Sequence, residues 1–253
     1  MAFVRLIPTL SLKDGRIIKT VKFDDFYDVG HPVTMGKVYD SQDVDELIFT
    51  DITASQEDRD PDWANIEAFA EECAMPLTIG GGIRTLDHIG KLLRIGADKV
   101  TLNSYAVKNP SFITEAANMF GSQCIVVSID ARRSGTGSYE VLSNGGFDPA
   151  GKDPVEWAKE CATRGAGEIL ITSIDRDGTM EGYDIDLTRA VSEAVTIPVI
   201  ANGGAGMLSD LLDVIEKGQA SAVACSSIFN FTDNKPIKVK AFMQDQNVNV
   251  RPI

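Results

Sequence analysis

Eight short, nearly continuous apolar runs alternate with eight amphipathic stretches along the chain. The runs are Val4–Leu10, Glu46–Thr50, Leu77–Ile79, Lys99–Leu102, Cys124–Ile129, Glu168–Ile171, Pro198–Ala201 and Ser221–Cys225. Rich in Val and Ile and lacking strict alternation, they predict strands covered on both faces, as a parallel sheet requires. Helical spacing marks Pro32–Ser41, Pro61–Cys73, Thr85–Ile95, Pro110–Phe120, Asp153–Arg164, Asp186–Ala194, Met207–Lys217 and Pro236–Gln244. Several of these begin at Pro, Asp or Thr and stop beside Gly96, Gly121, Gly165 or Gly218, the residues that punctuate helix ends. Eight βα units predict a (β/α)8 TIM barrel. A doubly wound sheet, the alternative, needs a reversal of strand order that nothing in the pattern marks.

The second half of the chain echoes the first. Ile79-Gly80-Gly81-Gly82-Ile83 matches Ala201-Asn202-Gly203-Gly204-Ala205, Asp51 pairs with Asp175, and Ser11 with Asp130, each pair roughly 120 residues apart. Two half-barrels about a pseudo-twofold axis are expected. Such an axis suits a ligand with an anion at each end.

Composition narrows the partners. A chain of 253 residues with 43% hydrophobic and 24% charged residues is expected to form one domain over 1–253. The formal charge of −13 argues against nucleic acid or an anionic membrane as main partner. A phosphorylated ligand remains compatible, because backbone N–H groups hold phosphate even on an acidic protein. Cys73, Cys124, Cys161 and Cys225 are widely spaced and read as buried free thiols of a reducing compartment. Met1–Leu12 lacks the pattern of a signal peptide, and the expected location is the cytoplasm.

Functional groups in such barrels stand at the C-terminal ends of strands. The phosphate candidates there are Gly82, Asn103, Ser104, Asp177, Gly178, Gly203, Gly204, Ser226 and Ser227. Glycines let a backbone N–H approach phosphate oxygens, and the serines and the amide can complete each cup. Tight turns and helix caps are the plainer roles for the same residues. Asp130 ends an apolar strand and is the candidate acid or base; a structural salt bridge to Arg132 or Arg133 is the alternative. Asp175 is read as orienting Arg176. His31 and His88 follow no strand and read as surface or capping residues, and no His/Cys cluster suggests a metal. No cofactor is expected.

Several segments in one order carry a resemblance: Lys13-Asp14-Gly15-Arg16, Asp51-Ile52-Thr53-Ala54-Ser55, Gly80-Gly81-Gly82-Ile83, Gly96-Ala97-Asp98-Lys99-Val100, Thr172–Thr179, Asn202–Gly206 and Val248-Asn249-Val250-Arg251. Together they resemble the HisF family, the cyclase subunit of imidazole glycerol phosphate synthase, from about residue 4 onward. The sister isomerase family HisA shares the half-barrel repeat but fits these motifs less well. The resemblance implies a lyase or amidotransferase subunit paired with a HisH-like glutaminase as a heterodimer. Ammonia released by that partner would cross the barrel and attack a bis-phosphorylated substrate, giving imidazole glycerol phosphate in histidine biosynthesis. It further implies a charged entrance ring at Arg5, Glu46, Lys99 and Glu168, a partner contact at Asp98, and acid/base aspartates at the ends of strands one and five.

Two positions depart from that family. Its Cys-Leu-Asp-x-Lys-Asp-Gly reads here Thr9-Leu10-Ser11-Leu12-Lys13-Asp14-Gly15, so Ser11 stands at the position of the first catalytic Asp. Its Gly-Gly-Arg-x-x-Thr-Gly reads Gly145-Gly146-Phe147-Asp148-Pro149-Ala150-Gly151, without the Arg. A serine hydroxyl cannot replace a carboxylate in proton transfer near neutral pH. The pattern is similar to HisF-like paralogues that deliver ammonia for amidine formation on a phosphorylated or nucleotide-linked surface-polysaccharide sugar, alongside a separate amidotransferase. The alternatives are a genuine cyclase subunit and a non-catalytic scaffold that activates its glutaminase.

Overall fold

The computed structural model describes residues 3–135 and 137–252. Its central feature is a closed parallel barrel of eight strands: β1 (Arg5–Lys13), β2 (Leu47–Asp51), β3 (Leu77–Gly80), β4 (Lys99–Leu102), β5 (Ile125–Arg133), β6 (Glu168–Ser173), β7 (Val199–Asn202) and β8 (Ala222–Cys225). Each strand pairs with the next in the chain. Closure comes from β8 lying parallel to β1, Arg5 opposite Ala222 through Pro8 opposite Cys225. The expected TIM barrel is therefore the fold.

The helices follow the strands: α1 (Pro32–Asp40), α2 (Trp63–Ala70), α3 (Leu86–Ile95), α4 (Ser111–Phe120), α5 (Pro154–Thr163), α6 (Ile185–Ala194), α7 (Leu208–Glu216) and α8 (Pro236–Asp245). Side chains of Asp62, Thr85, Asp153 and Asp184 accept from the first free N–H groups of α2, α3, α5 and α6. Each such cap satisfies donors that the helix itself cannot. Between helices and barrel lies the larger core, with Phe49 stacked on Phe69 at 4.2 Å and Trp157 wholly covered. A separate apolar layer fills the barrel interior, formed by Ile7, Ile48, Val126, Leu170, Ile200, Ala222 and Ala224. The barrel is a packed core, not a pore.

Two antiparallel excursions lie outside the expected element pattern. β1 runs three residues beyond Leu10 and turns at Asp14-Gly15, both at positive φ, into strands Arg16–Val21 and Asp24–Gly30. Paired positive φ values at an Asp-Gly suit the tight hairpin turn that matches strand twist. β5 likewise overruns Ile129 and pairs with Tyr139–Ser143, which pairs with Asp148–Pro149. Each half-barrel thus begins with a nine-residue strand bearing a hairpin. One-turn helices at Ser104–Lys108 and Ser227–Asn230 complete the correspondence.

Register refines the internal repeat. Ser11 lies opposite Thr50 and Asp130 opposite Thr172, so the two stand at equivalent levels on opposite strands of the barrel. The pairing of Asp51 with Asp175 does not hold. A Cβ on Gly81 would fall 2.0 Å from the Asp51 carbonyl, and one on Gly203 would fall 2.8 Å from that of Ser173. Asp51 therefore corresponds to Ser173, and Asp175 belongs to the longer loop that follows. The thiols also differ in part: Cys161 and Cys225 are buried, but Cys73 and Cys124 are only half-buried, and all four are free. Among the described residues no helix is long and apolar enough to cross a membrane.

The last helix is tied to the segment before β2 at the N-terminal end of the barrel. Lys240 on α8 has no accessible surface, and its Nζ donates to the Asp43 carbonyl at 3.0 Å and to Asp45 Oδ1 at 3.1 Å. Asp45 Oδ2 in turn accepts from the Leu6 N–H at 2.9 Å. A buried ion pair adds little net stability, but removing Lys240 leaves the buried Asp45 with only the half-exposed Arg251, 3.2 Å away, to offset its charge. Lys240→Ala should therefore cost about 3–5 kcal/mol, read as a fall in thermal or urea midpoint. A loss below the size of a surface substitution would exclude this role.

Candidate active site

Alternate residues along a strand face the same side, so each barrel strand presents a short inward stripe. At the N-terminal end those positions are charged. Arg5 donates to Glu46 at 2.7 Å and to Glu168 at 3.0 Å, while Lys99 donates to the same two carboxylates at 2.9 and 3.0 Å. Thr78 Oγ1 donates to the remaining Glu46 oxygen at 2.6 Å. The four charges form a closed ring of alternating sign. Burial alone would lower the Arg5 pKa, but Glu168 and Glu46 more than offset it and hold it raised. Burial alone would raise that of Glu46, and Lys99 with Arg5 reverse the direction. Both members stay ionised because their partners are in place.

Two residues further up, three of the charges give way to the aliphatic layer, Arg5 to Ile7, Glu46 to Ile48 and Glu168 to Leu170, while Lys99 is followed by Thr101, which lines the cavity above. The next positions are Thr9, Thr50, Thr172 and, on β5, Ser128. These line a cavity of about 200 Å³ at the C-terminal end, together with Ser11, Asp130, Gly82, Asn103, Ser104, Asp177 and Ser226. A narrower recess shares Thr9, Lys19, Asp177, Asn202 and Ser226 with it and adds Gly178, Gly203, Gly204 and Ser227. Every residue expected to bind phosphate thus lies on one of two adjoining cavities.

Asp130 sits between Asn103, whose Nδ2 donates to Oδ2 at 2.7 Å, and Ser128, whose Oγ donates to Oδ1 at 3.4 Å. Burial pushes its pKa up to about 6, against the hydrogen bonds from Asn103 and Ser128, and the Asp177 charge adds to the rise. A carboxyl poised there can take or release a proton near neutrality. Neither neighbouring arginine pairs with it: Arg132 donates to the Gly146 carbonyl, and Arg133 reaches Tyr139 and Asp184. Ser11 occupies the matching level across the barrel and lines the same cavity.

Lys19 is the chemical group that the strand-end reading missed. It lies on the hairpin from β1, and its Nζ meets Asp177 Oδ1 at 2.7 Å while Thr20 Oγ1 donates to Oδ2 at 2.7 Å. The β-branched run Arg16–Val21 after an Asp-Gly turn carried that signal. Asp175 does not orient Arg176: it accepts from the Arg133 N–H at 2.7 Å, and Arg176 turns to the Glu181 carbonyl. Asp98 is exposed beside the charged ring and accepts from the Leu77 N–H at 2.8 Å. His31 precedes α1 without a side-chain cap, and His88 lies within α3. No group of three or more potential ligands is gathered for a metal among the described residues.

The family of histidine biosynthesis proteins matches residues 5–234. The imidazole glycerol phosphate synthase subunit HisF of Geobacillus thermodenitrificans (strain NG80-2) is 50% identical over 248 residues, 98% of each chain. The chain belongs to the HisF family. The barrel carries a carboxylate, Asp130, on β5 and a hydroxyl, Ser11, at the equivalent level of β1.

The elevated Asp130 pKa has a consequence for stability. An acid raised from 3.8 to about 6 stabilises the fold while protonated, below its unfolded pKa, and that contribution is lost as pH rises through about 6. Relative to Asp130→Asn, the wild-type barrel should therefore weaken by about 2 kcal/mol between about pH 4 and pH 7. Urea denaturation of both proteins across that range tests it. Parallel curves would mean the carboxyl is not held in its neutral form by burial.

Proposed function

We propose that this barrel is the synthase subunit of a glutamine amidotransferase, taking ammonia from a HisH-like glutaminase at the charged ring and using it at the Asp130 cavity. The observation that carries this reading is the unbroken inward stripe from ring to cavity: paired charges, aliphatic layer, hydroxyls, Asp130. Neutral ammonia can cross an aliphatic layer that would exclude ammonium, because an unpaired charge there is costly. The ring would open where Lys99 leaves its two carboxylates. Asp98 lies on the same end, where the glutaminase would dock. Such a complex works in the cytoplasm.

Ammonia addition at the top needs one group to shed or accept a proton, and Asp130 supplies it. The family's ring closure uses a second carboxylate on strand one, and Ser11 has none to offer. We therefore favour attack of ammonia on an anionic acceptor without ring closure, as in amidine formation on a surface-polysaccharide sugar. There a new C–N bond replaces the amide C–O bond, and the oxygen leaves once a separate amidotransferase has activated it. The 50% identity over 98% of the Geobacillus subunit favours a second reading, a genuine cyclase of histidine biosynthesis.

Turnover of the histidine-pathway substrate with free ammonia separates the two. Wild type should be slow, and Ser11→Asp should raise the rate by about 10²-fold or more, the usual worth of a general acid or base. Substantial wild-type turnover would sink the first reading. Independently, Lys99→Ala should reduce glutamine-dependent activity in the assembled complex while sparing ammonia-dependent activity. Equal loss of both would remove the ring from the ammonia route.

A further inference from the structure

Val126, Ser128 and Asp130 are consecutive inward positions on β5. Val126 belongs to the aliphatic layer, Asp130 carries the carboxyl above it, and Ser128 lies between them on the cavity wall. On the proposed route, ammonia leaving the aliphatic layer passes Ser128 before it reaches the level of Asp130. The serine is also the more open of the two: it is partly exposed, whereas Asp130 is buried.

The two oxygens of the Asp130 carboxyl have unlike partners. Oδ2 accepts from Asn103 Nδ2 at 2.7 Å, and an amide nitrogen can only donate. Oδ1 accepts from Ser128 Oγ at 3.4 Å, and a hydroxyl can rotate from donor to acceptor. A proton arriving on Oδ2 would compete with the Asn103 N–H. On Oδ1 it finds a partner that can turn round and accept it. Thr172, the other hydroxyl beside the carboxyl, is 2% exposed and already accepts from Asn202 Nδ2 at 3.1 Å. The charges that line the same cavity are engaged elsewhere, Asp177 with Lys19 at 2.7 Å and Asp51 with Arg59 at 2.6 Å. Ser128 is thus the movable proton carrier at this carboxyl.

We infer that Ser128 is the positioning residue through which Asp130 takes up the proton shed by the attacking nitrogen. The inference rests on the proposed synthase reading, which supplies both the ammonia and the acceptor. As the nitrogen lone pair forms the new C–N bond, the nitrogen becomes positively charged and must lose a proton. That proton passes to Ser128 Oγ while the proton already on Oγ moves to Asp130 Oδ1. The carboxylate becomes the neutral acid, and the serine hydroxyl is regenerated. The contact of 3.4 Å is long, as catalytic hydrogen bonds often are before substrate binds, and it tightens once the acceptor is seated. Asn103 meanwhile holds the opposite oxygen and fixes the plane of the carboxyl, which gives the transfer its direction.

Carboxyl-carbon NMR of the aspartate-labelled chain reads Asp130 directly, its signal assigned by its loss in Asp130→Asn. The midpoint, about 6 in wild type, should rise by about half to one pH unit in Ser128→Ala, which removes a donor to the ionised form. Ser128→Thr keeps the hydroxyl on a side chain suited to a strand and should return the midpoint to the wild-type value. Proton transfer is read from ammonia-dependent turnover of the histidine-pathway substrate, in whichever of wild type and Ser11→Asp is active. There Ser128→Ala should lower kcat by about 10²-fold with KM for ammonia little changed, and Ser128→Thr should recover it. An unmoved midpoint, or a moved midpoint with kcat intact, would overturn the inference and leave the synthase reading standing. No turnover by either chain would overturn both, whatever the titration gives.

Discussion

Four charges enclosed at the bottom of a barrel can persist only if each is paired from two sides, and the rest of the molecule is positioned by that requirement. Arg5, Glu46, Lys99 and Glu168 come from or adjoin β1, β2, β4 and β6, so their mutual contacts of 2.7 to 3.0 Å hold those strands at a fixed stagger. Because inward positions recur every second residue, fixing the ring fixes every level above it. Ile7, Ile48 and Leu170 then share one layer, and Ser11 and Asp130 share another. The Lys240–Asp45 contact reinforces this from outside by holding the start of β1 through the Leu6 N–H. A slip of one residue in any strand would turn its ring member outward and leave the opposite charge unpaired.

The same geometry sets the state of Asp130, which faces a hydroxyl and not a second carboxylate across the barrel. Two ionised acids facing each other across a water-poor cavity raise each other's pKa. With a hydroxyl at Ser11, Asp130 feels burial first and the Asp177 charge as a minor addition, and the Asn103 and Ser128 donors act against both. Asp130 is therefore a single, moderately shifted acid, held toward its neutral form mainly by burial.

The barrel was legible because its strands and helices follow periodicities that burial enforces. Eight apolar runs and eight amphipathic stretches sufficed for the architecture, and the Gly81/Gly203 repeat located both cavity ends. The ring residues came from resemblance to a family, because two acids and two bases scattered along a chain carry no local signal until closure assembles them. The hairpins after β1 and β5 are harder to read: Asp24–Gly30 is half-polar and exposed, and Arg16–Val21, though mostly buried, does not alternate. Lys19 went unrecognised with its hairpin. Asp175 was misassigned because a repeat matched by residue type overlooks a two-residue offset that register reveals.

Identity and departure are distributed according to physical cost. Positions that enforce closure, the ring, the inward aliphatics and the glycines pressed against carbonyls, cannot change singly without clash or an unpaired charge. Phe147 lies at a loop tip, two-thirds exposed, where a new side chain disturbs nothing beneath it. Ser11 lines an open cavity, so exchanging a carboxylate for a hydroxyl leaves no cavity in the core and no orphaned partner. A barrel built this way can keep half of its sequence in common with a HisF subunit while its exposed loop tips remain free to change.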